Sequence, residues 1–542
     1  MVAPIDLSPH RHRIELMHAA GCTNAQIVEM LNEEGIECKG ITLKRRLQQW
    51  GLKRLRRTDD ILGEEGKAYI LSLFYQGQAT DEEIRISLGA RNITLGLSSL
   101  RRFRYKHGML RRWALQNREA QDQELQEKIR TVIANGAATN YGYRNLYTYL
   151  WRHAQETNGR TYAMKRVLKA VKTVNPRGVA LRDIQANRHR QRWRPPGPNY
   201  VWSVDGHSKL DKFGIQIYAC IDAYSRYIIW IYVGVSAHTS VSVGRQYLNT
   251  VKDIGLMPLM IRSDRGLETG IMADIHWNMR IALGDRIGPN GEPEHIPFRE
   301  CYMFGKSTAN QKIEAWWARL QDGCLIRWLE FFERMLQEGS YHPDEKPDKI
   351  TFLAIYMPIL RSEIFEFRDN WNTHKIRTQR KRLYIRTGKP WFLYQNPGAH
   401  GDEEHGLEPN WDTYEHISNQ YPYDVDEYLP PATLEFCHTK MREAGFHPNT
   451  LSASAVQPDG TPTHIALYRL LLREVRSHFT AGNVNPVLGT TERPRGGHMW
   501  VPPAEVEAFR RAGEEEEEEE EQEQLYYFDG EYVAQPEVFQ EE

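Results

Sequence analysis

Three acidic residues sit in stretches whose composition suits them to chemistry. Asp205 stands in Trp202-Ser203-Val204-Asp205-Gly206, and Asp264 in Ile261-Arg262-Ser263-Asp264-Arg265-Gly266. Glu314 closes Gly305-Lys306-Ser307-Thr308-Ala309-Asn310-Gln311-Lys312-Ile313-Glu314. Each lies at the edge of an apolar or helical run, where an element's end can present a carboxylate to a shared point. Clustered carboxylates repel one another unless a cation offsets their charge. Hard ions such as Mg2+ take oxygen ligands and use only a few protein carboxylates, leaving places for water and substrate oxygens. Such a set suits cleavage or transfer at a phosphodiester, where two cations about 3.5 to 4 Å apart activate the attacking oxygen and stabilise the leaving one. Asp205, Asp264 and Glu314 are therefore read as one metal site. Taken singly, an Asp after a strand is a turn or cap residue and a Glu on a helix is solvated. Asp222 and Glu268 receive that plainer reading.

The elements that must gather the three acids follow from the apolar pattern. Residues 200–205, 215–221 and 227–235 are rich in β-branched and aromatic side chains and read as strands. The turn Asp222-Ala223-Tyr224-Ser225-Arg226 makes the last two a hairpin. A helix over 240–254 and a short strand over 259–263 then deliver Asp264 to the strand's carboxyl end, where sites on such sheets form. On the Glu314 helix, Ile313, Trp317, Leu320 and Cys324 share one stripe that would pack on the sheet, while Asn310, Glu314 and Ala318 share the next. Trp316 and Trp317 are read as core packing. Lys306, Lys312 and Arg319 flank the acid and are placed in sequence to meet phosphates.

Upstream, the chain repeats itself at an offset of 57 residues, pairing Leu16 with Leu73, Thr23 with Thr80, Ile27 with Ile84 and Leu31 with Leu88. The same offset pairs Leu43 with Leu100, Arg45 with Arg102 and Gly51 with Gly108. Each copy offers a capping Thr, apolar residues at helical spacing, a break and an Arg-rich second helix, the grammar of a helix-turn-helix. The second helices, 43–50 and 98–107, carry Lys44, Arg45 and Arg46 in one copy and Arg101, Arg102 and Arg104 in the other. Such helices suit the major groove of DNA. Residues 122–182 read as a third helical unit, either another helix-turn-helix or a spacer. A basic linker and Pro195-Pro196-Gly197-Pro198 follow.

The whole chain of 542 residues has a net charge of only -1 and 40% hydrophobic residues, ordinary for a soluble protein. That sum hides an asymmetry: residues 160–194 carry eleven Lys or Arg against the single acid Asp183, whereas 514–521 is an unbroken Glu run. Such a run is read as a solvated, disordered tail. Six cysteines without a CxxC pair point to a reducing compartment and give no zinc pattern. No apolar stretch is long enough to span a bilayer, so no membrane partner is expected. The basic clusters 53–57 and 380–382 also read as nuclear localisation signals.

Several of these motifs together resemble a known family. Ile221-Asp222-Ala223-Tyr224-Ser225-Arg226, the Ser263-Asp264-Arg265-Gly266 step and Asn310-Gln311-Lys312-Ile313-Glu314 are similar to the integrase core of DDE integrases and transposases. Closer still is the resemblance to eukaryotic integrase-core proteins related to Ginger-type DNA transposons. It rests on Pro196-Gly197-Pro198-Asn199 before Trp202, Asp205-Gly206 with Lys209-Leu210, Gly305-Lys306-Ser307, and Trp371-Asn372-Thr373-His374-Lys375-Ile376-Arg377. The resemblance, over about 141–397, implies an RNase H-like α/β core with a mixed five-stranded sheet, preceded by all-α helix-turn-helix domains. It also implies two Mg2+ or Mn2+ ions on Asp205, Asp264 and Glu314, element ends and target DNA as partners, a homo-oligomer and a nuclear location. The spacing from Asp264 to Glu314 (314 minus 264, 50 residues) is longer than in retroviral integrases, and 284–300 reads as the loop that fills the excess.

The chain then divides into 1–58 and 59–118 as helix-turn-helix repeats, 119–195 as a helical and basic linker region, and 196–338 as the catalytic core. Residues 339–400 form a helical basic extension, and 401–542 a C-terminal region with the acidic tail. The function expected is a DNA-cleaving and DNA-joining polynucleotidyl transferase. The alternatives are a domesticated DNA-binding protein that keeps the core but no longer transposes, and an RNase H-like nuclease that cuts without joining.

Overall fold

The computed structural model describes residues 7–19, 24–51, 58–111, 118–134, 141–155, 161–174, 195–264, 266–287, 293–304, 311–377, 386–448, 451–457, 460–482 and 485–491. Thr23, Arg265, Lys306, the clusters 53–57 and 380–382 and the Glu run lie outside the described residues. The chain forms two compact units, one of residues 1–73 with 80–109 and the other of 74–79 with 110–542.

The first unit is all helical. Helices α1 (Arg11–Ala19), α2 (Asn24–Glu33) and α3 (Gly40–Gln49) are followed by α4 (Thr58–Tyr75), α5 (Asp81–Gly89) and α6 (Leu97–Lys106). Adding 57 to the bounds of α3 gives those of α6, so the sequence repeat is a structural repeat. Ile27 and Ile84, Leu31 and Leu88, and Leu43 and Leu100 are all fully buried. Gly51 and Gly108 end the second helices at φ 71° and 69°, a left-handed turn that a residue without Cβ adopts freely. Thr80 caps α5: its hydroxyl accepts from Glu83 N at 3.2 Å, and the Glu83 carboxylate accepts from Thr80 N at 2.6 Å. That is the reciprocal box that satisfies two otherwise orphaned N–H groups.

In the second unit, α7 (Arg118–Ala134), α8 (Tyr143–Arg152) and α9 (Met164–Val174) precede the sheet. Then come β1 (Val201–His207), β2 (Gln216–Asp222), β3 (Ile228–Gly234), α10 (Ser240–Ile254), β4 (Met260–Ser263) and α11 (Gly270–Ile281). A two-residue pair, β5 (Arg286–Ile287) and β6 (Pro293–Glu294), leads to α12 (Phe298–Cys301), β7 (Tyr302–Phe304) and α13 (Gln311–Leu320). Five strands form one sheet in the order β3-β2-β1-β4-β7, antiparallel at β3-β2 and β2-β1 and parallel at β1-β4 and β4-β7. This is the mixed sheet of an RNase H-like α/β fold.

Alternation along the strands gives the sheet two buried faces. Trp202, Val204, Tyr218, Cys220 and Ile261 pack with Val243 and Tyr247 of α10 and Ile271 and Ile275 of α11. Ile217, Ala219 and Ile221 face the other way, into a core with Ile313 and Trp316 of α13. That second layer continues through α14 (Ile326–Gln337) and the 28-residue α15 (Lys346–Thr373), whose Pro347 suits a first helical turn. Leu146 and Val167 join the same core, and Arg152 ties α8 to α15 through Glu366 Oε1 at 2.7 Å.

The C-terminal region holds more structure than its composition suggested. After α16 (Pro390–Gln395) come α17 (Trp411–Gln420), α18 (Pro431–Glu443) and α19 (Thr463–Ala481). Leu467, Leu471 and Val475 of α19 are buried against the α15 core, and Arg476 pairs with the fully buried Asp348 at 2.7 Å. No helix among the described residues is long and apolar enough to cross a membrane.

Candidate active site

Asp205 owes its direction to strand alternation. Trp202 and Val204 point into one core, so Asp205, paired across the sheet with Ala219, points to the face that α13 covers. Its Oδ1 accepts from Gly206 N at 2.9 Å and its Oδ2 from Trp317 Nε1 at 2.8 Å. Asp264 follows the last residue of β4, the strand parallel to and beside β1, so the two acids stand near the carboxyl ends of adjacent strands. Asp264 Oδ1 accepts from Gly266 N at 3.2 Å. Behind it, Ser263 Oγ donates to Asp264 O at 2.7 Å and accepts from Tyr302 Oη at 2.9 Å. Glu314 is half-buried on α13, whose Ile313, Trp316, Trp317 and Leu320 are buried, so the helix is rooted while its carboxylate stays at the edge.

The three acids feel one another. Asp205 is pushed up to about 7 by burial first, then by Asp264 and more weakly by Glu314, against the bonds from Trp317 and Gly206 that favour its charged form. Among the described residues, no group of three or more His, Cys, Asp or Glu side chains is placed so that it could hold a metal ion. Asp264 and Glu314 nonetheless act on Asp205, and Mg2+ is a cation held by a few carboxylates with water and substrate oxygens completing its shell. The donor set is all hard oxygen, and Asp205 keeps acceptor capacity on both oxygens. A divalent cation relieves the repulsion that raises Asp205. The residues fit Mg2+ or Mn2+.

Two further groups lie near these acids, Glu268, which the sequence reading took as a turn or solvated acid, and Tyr218, which it did not single out. Glu268 is raised by burial, with Asp264 adding to the effect, and lies so close to Gly266 that a side chain at 266 would run into its carboxylate. Tyr218, fully buried and opposite Gly206 in the register, has a hydroxyl with no hydrogen-bond partner. Burial holds that phenol well above its usual range, with Tyr302, Glu268, Asp205 and Asp264 adding to the effect. The signal for Glu268 was its place four residues after Asp264. Nothing in the sequence pointed to Tyr218. Asp222 has the plainer role: fully buried, it accepts from Asn199 N at 2.9 Å and from Ser225 N and Oγ at 2.7 and 2.6 Å, closing the hairpin turn.

The basic residues separate into several kinds. Lys44, Arg45, Arg101 and Arg102 are exposed on α3 and α6, and Arg46 is half-buried with its guanidinium donating to Gln49 at 3.1 Å. Arg104 differs from the expectation of a DNA contact. It is 5% exposed, its Nε lies 2.8 Å from Asp81 Oδ1 and its Nη1 donates to Met109 O at 2.6 Å. The reason lies in the repeat, because 57 residues earlier stands Leu47, a core residue of the first copy. Lys312 is half-buried rather than presented to solvent, and burial with Arg226 and Arg262 nearby pushes its amine down to about 7 despite Asp222. Arg319 is exposed on α13.

Residues 193–387 match the family model described as Integrase core domain, a likeness that supports kinship of this segment with the DDE integrase superfamily. The matched segment contains the five-stranded sheet, Asp205, Asp264, Glu314 and all of α15. No curated protein matches the chain.

Proposed function

We propose that this chain is a metal-dependent polynucleotidyl transferase of the DDE integrase and transposase kind, related to Ginger-type elements, that cuts and joins DNA phosphodiesters. The observation that carries the reading is the meeting of Asp205, Asp264 and Glu314 in one field, inside the segment that matches an integrase core. These three would hold two Mg2+ or Mn2+ ions, which when bound supply an oxygen nucleophile at neutral pH and stabilise the leaving oxygen. The chain's own part is positioning. Gly206 N and Trp317 Nε1 orient Asp205, Gly266 N donates to Asp264, and the buried stripe of α13 fixes where Glu314 stands. Holding attacking and leaving oxygens in line accounts for a large share of such a rate.

Positive charge in both units supports a DNA substrate. In the second unit, Arg226 and Arg262 lie near Lys312 of the Glu314 helix, adding positive charge on that side. In the first, exposed Lys44, Arg45, Arg101 and Arg102 suit the major groove, and Arg46 stands at the edge of that set. Lys306 and Arg319 complete the phosphate contacts. The protein acts in the nucleus as a homo-oligomer that brings element ends to target DNA.

The test is incubation of purified protein with labelled duplex ends, a plasmid target and Mg2+ or Mn2+, scoring nicked and joined products separately. Both products are expected, and Asp205→Asn, Asp264→Asn or Glu314→Gln should abolish both while leaving DNA binding intact. Nicking without joining would select the hydrolytic nuclease. DNA binding with neither product would select the domesticated binding protein.

A further inference from the structure

Trp317 lies one turn beyond Glu314, within reach of the same side of the helix. Its indole N–H, a donor with no acceptor role, does not end on a main-chain carbonyl as those of Trp151, Trp277, Trp371 and Trp391 do. It ends on Asp205 Oδ2 at 2.8 Å. The same ring stacks on His207, with centroids 5.0 Å apart and planes at 10°, and meets Trp316 at 4.7 Å. Trp317 and His207 are 6% and 8% exposed, so the ring is held by packing as well as by its bond. The carboxylate torsion of an Asp is otherwise broad and roughly twofold. With Gly206 N on Oδ1 and Trp317 Nε1 on Oδ2, each oxygen of Asp205 has one fixed donor, and the carboxylate plane is set from both sides.

We infer that Trp317 is a positioning residue: it fixes the orientation in which Asp205 meets a divalent cation, and it ties that orientation to the helix that carries Glu314. The inference rests on the reading of Asp205, Asp264 and Glu314 as the cation site. A buried indole N–H seeks an acceptor wherever it lies, and Trp328 also donates to a carboxylate, Glu363 Oε2 at 2.7 Å; what sets Trp317 apart is that its acceptor is Asp205, and Trp316 supplies the contrast. Trp316 is fully buried beside Trp317, on the same helix, and its Nε1 has no hydrogen-bond partner among the described residues. Removing a group that orients a metal ligand lowers metal affinity about tenfold to a hundredfold.

The test is calorimetric titration of the full chain with Mn2+ at neutral pH, comparing wild type, Asp205→Asn, Trp317→Phe and Trp316→Phe. Phe keeps an aromatic ring in place and removes only the donor. The expected result is binding by wild type, loss in Asp205→Asn, weakening of about tenfold or more in Trp317→Phe, and near wild-type affinity in Trp316→Phe. Wild-type affinity in Trp317→Phe, or equal weakening in Trp316→Phe, overturns the positioning role while the cation site stands. Absence of Mn2+ binding by wild type, or wild-type affinity in Asp205→Asn, sinks the cation reading and this inference with it. If Trp317→Phe does not fold, 15N-tryptophan-labelled protein decides: Mg2+ must shift the Trp317 indole N–H resonance in wild type and not in Asp205→Asn. No shift in wild type overturns the inference.

Discussion

On α3 and α6, Lys44, Arg45, Arg101 and Arg102 stand in water, where each charge is solvated and its neighbours are spaced along a helix. On β1, Asp205 is half-buried with two like charges acting on it, and burial alone already disfavours its ionised form. The first arrangement costs the fold almost nothing. The second opposes the fold, because a neutral side chain of the same shape would sit there more comfortably. Arg104 and Asp222 mark a third case, in which charge is buried but answered by Asp81 and by the Ser225 turn. Burial pushes Asp222 up to about 6 against the bonds from Ser225 and Asn199, whereas Asp205 is raised by burial and by two acids besides.

That contrast yields predictions that fall in order of size. Arg104→Ala removes one partner of a buried ion pair and should destabilise the first unit by about 3 to 5 kcal/mol, as read from denaturant melts. If it behaves like an exposed arginine instead, the distinction within α6 fails. Next, Asp205→Asn should change how stability depends on pH. The carboxyl of Asp205 is raised to about 7 in the fold, against an unfolded value near 3.9. Between these values the folded chain holds a proton that the unfolded chain has released, so this group's contribution to stability is full below about pH 4 and is lost as pH rises through about 7. Melts in EDTA across that window should show a falling stability that Asp205→Asn flattens. An unchanged slope would mean that Asp205 is not the strained group. Smallest in stability are Arg45→Ala and Arg102→Ala, expected within about 0.5 kcal/mol of wild type. Their effect should instead be on DNA, as weaker binding and a salt dependence shallower by about one unit per residue removed.

Much of this was legible in the sequence because periodic patterns carry it. The predicted helix over 240–254 matches α10, and the predicted 259–263 strand matches β4 within one residue, since apolar alternation and helical stripes report burial directly. The elements carrying the three acids were legible too: Asp205 lies in β1, Asp264 directly follows β4 and Glu314 stands in the first turn of α13. Arg104 was misjudged on its charge, although the offset of 57 pairs it with Leu47 and so already placed it in a core. Lys312 was assigned to phosphates from its nearness to Glu314, but two residues along a helix turn a side chain well away from its neighbour. The partner of Trp317 was out of reach, because it depends on a strand and a helix distant in sequence meeting at one point. The helices α17 and α18 were hidden by Pro- and Tyr-rich surroundings whose burial depends on the core they cover.

The most direct test of the central claim measures two properties of one protein. Purified Asp205→Asn should be at least as stable as wild type at pH 7.5 in EDTA, while its Mg2+-dependent cleavage and joining of DNA falls by about a thousandfold or more. A variant that keeps wild-type cleavage, or one that unfolds at pH 7.5 where wild type is folded, would contradict the account that Asp205 is held against the interests of the fold for chemistry at a metal.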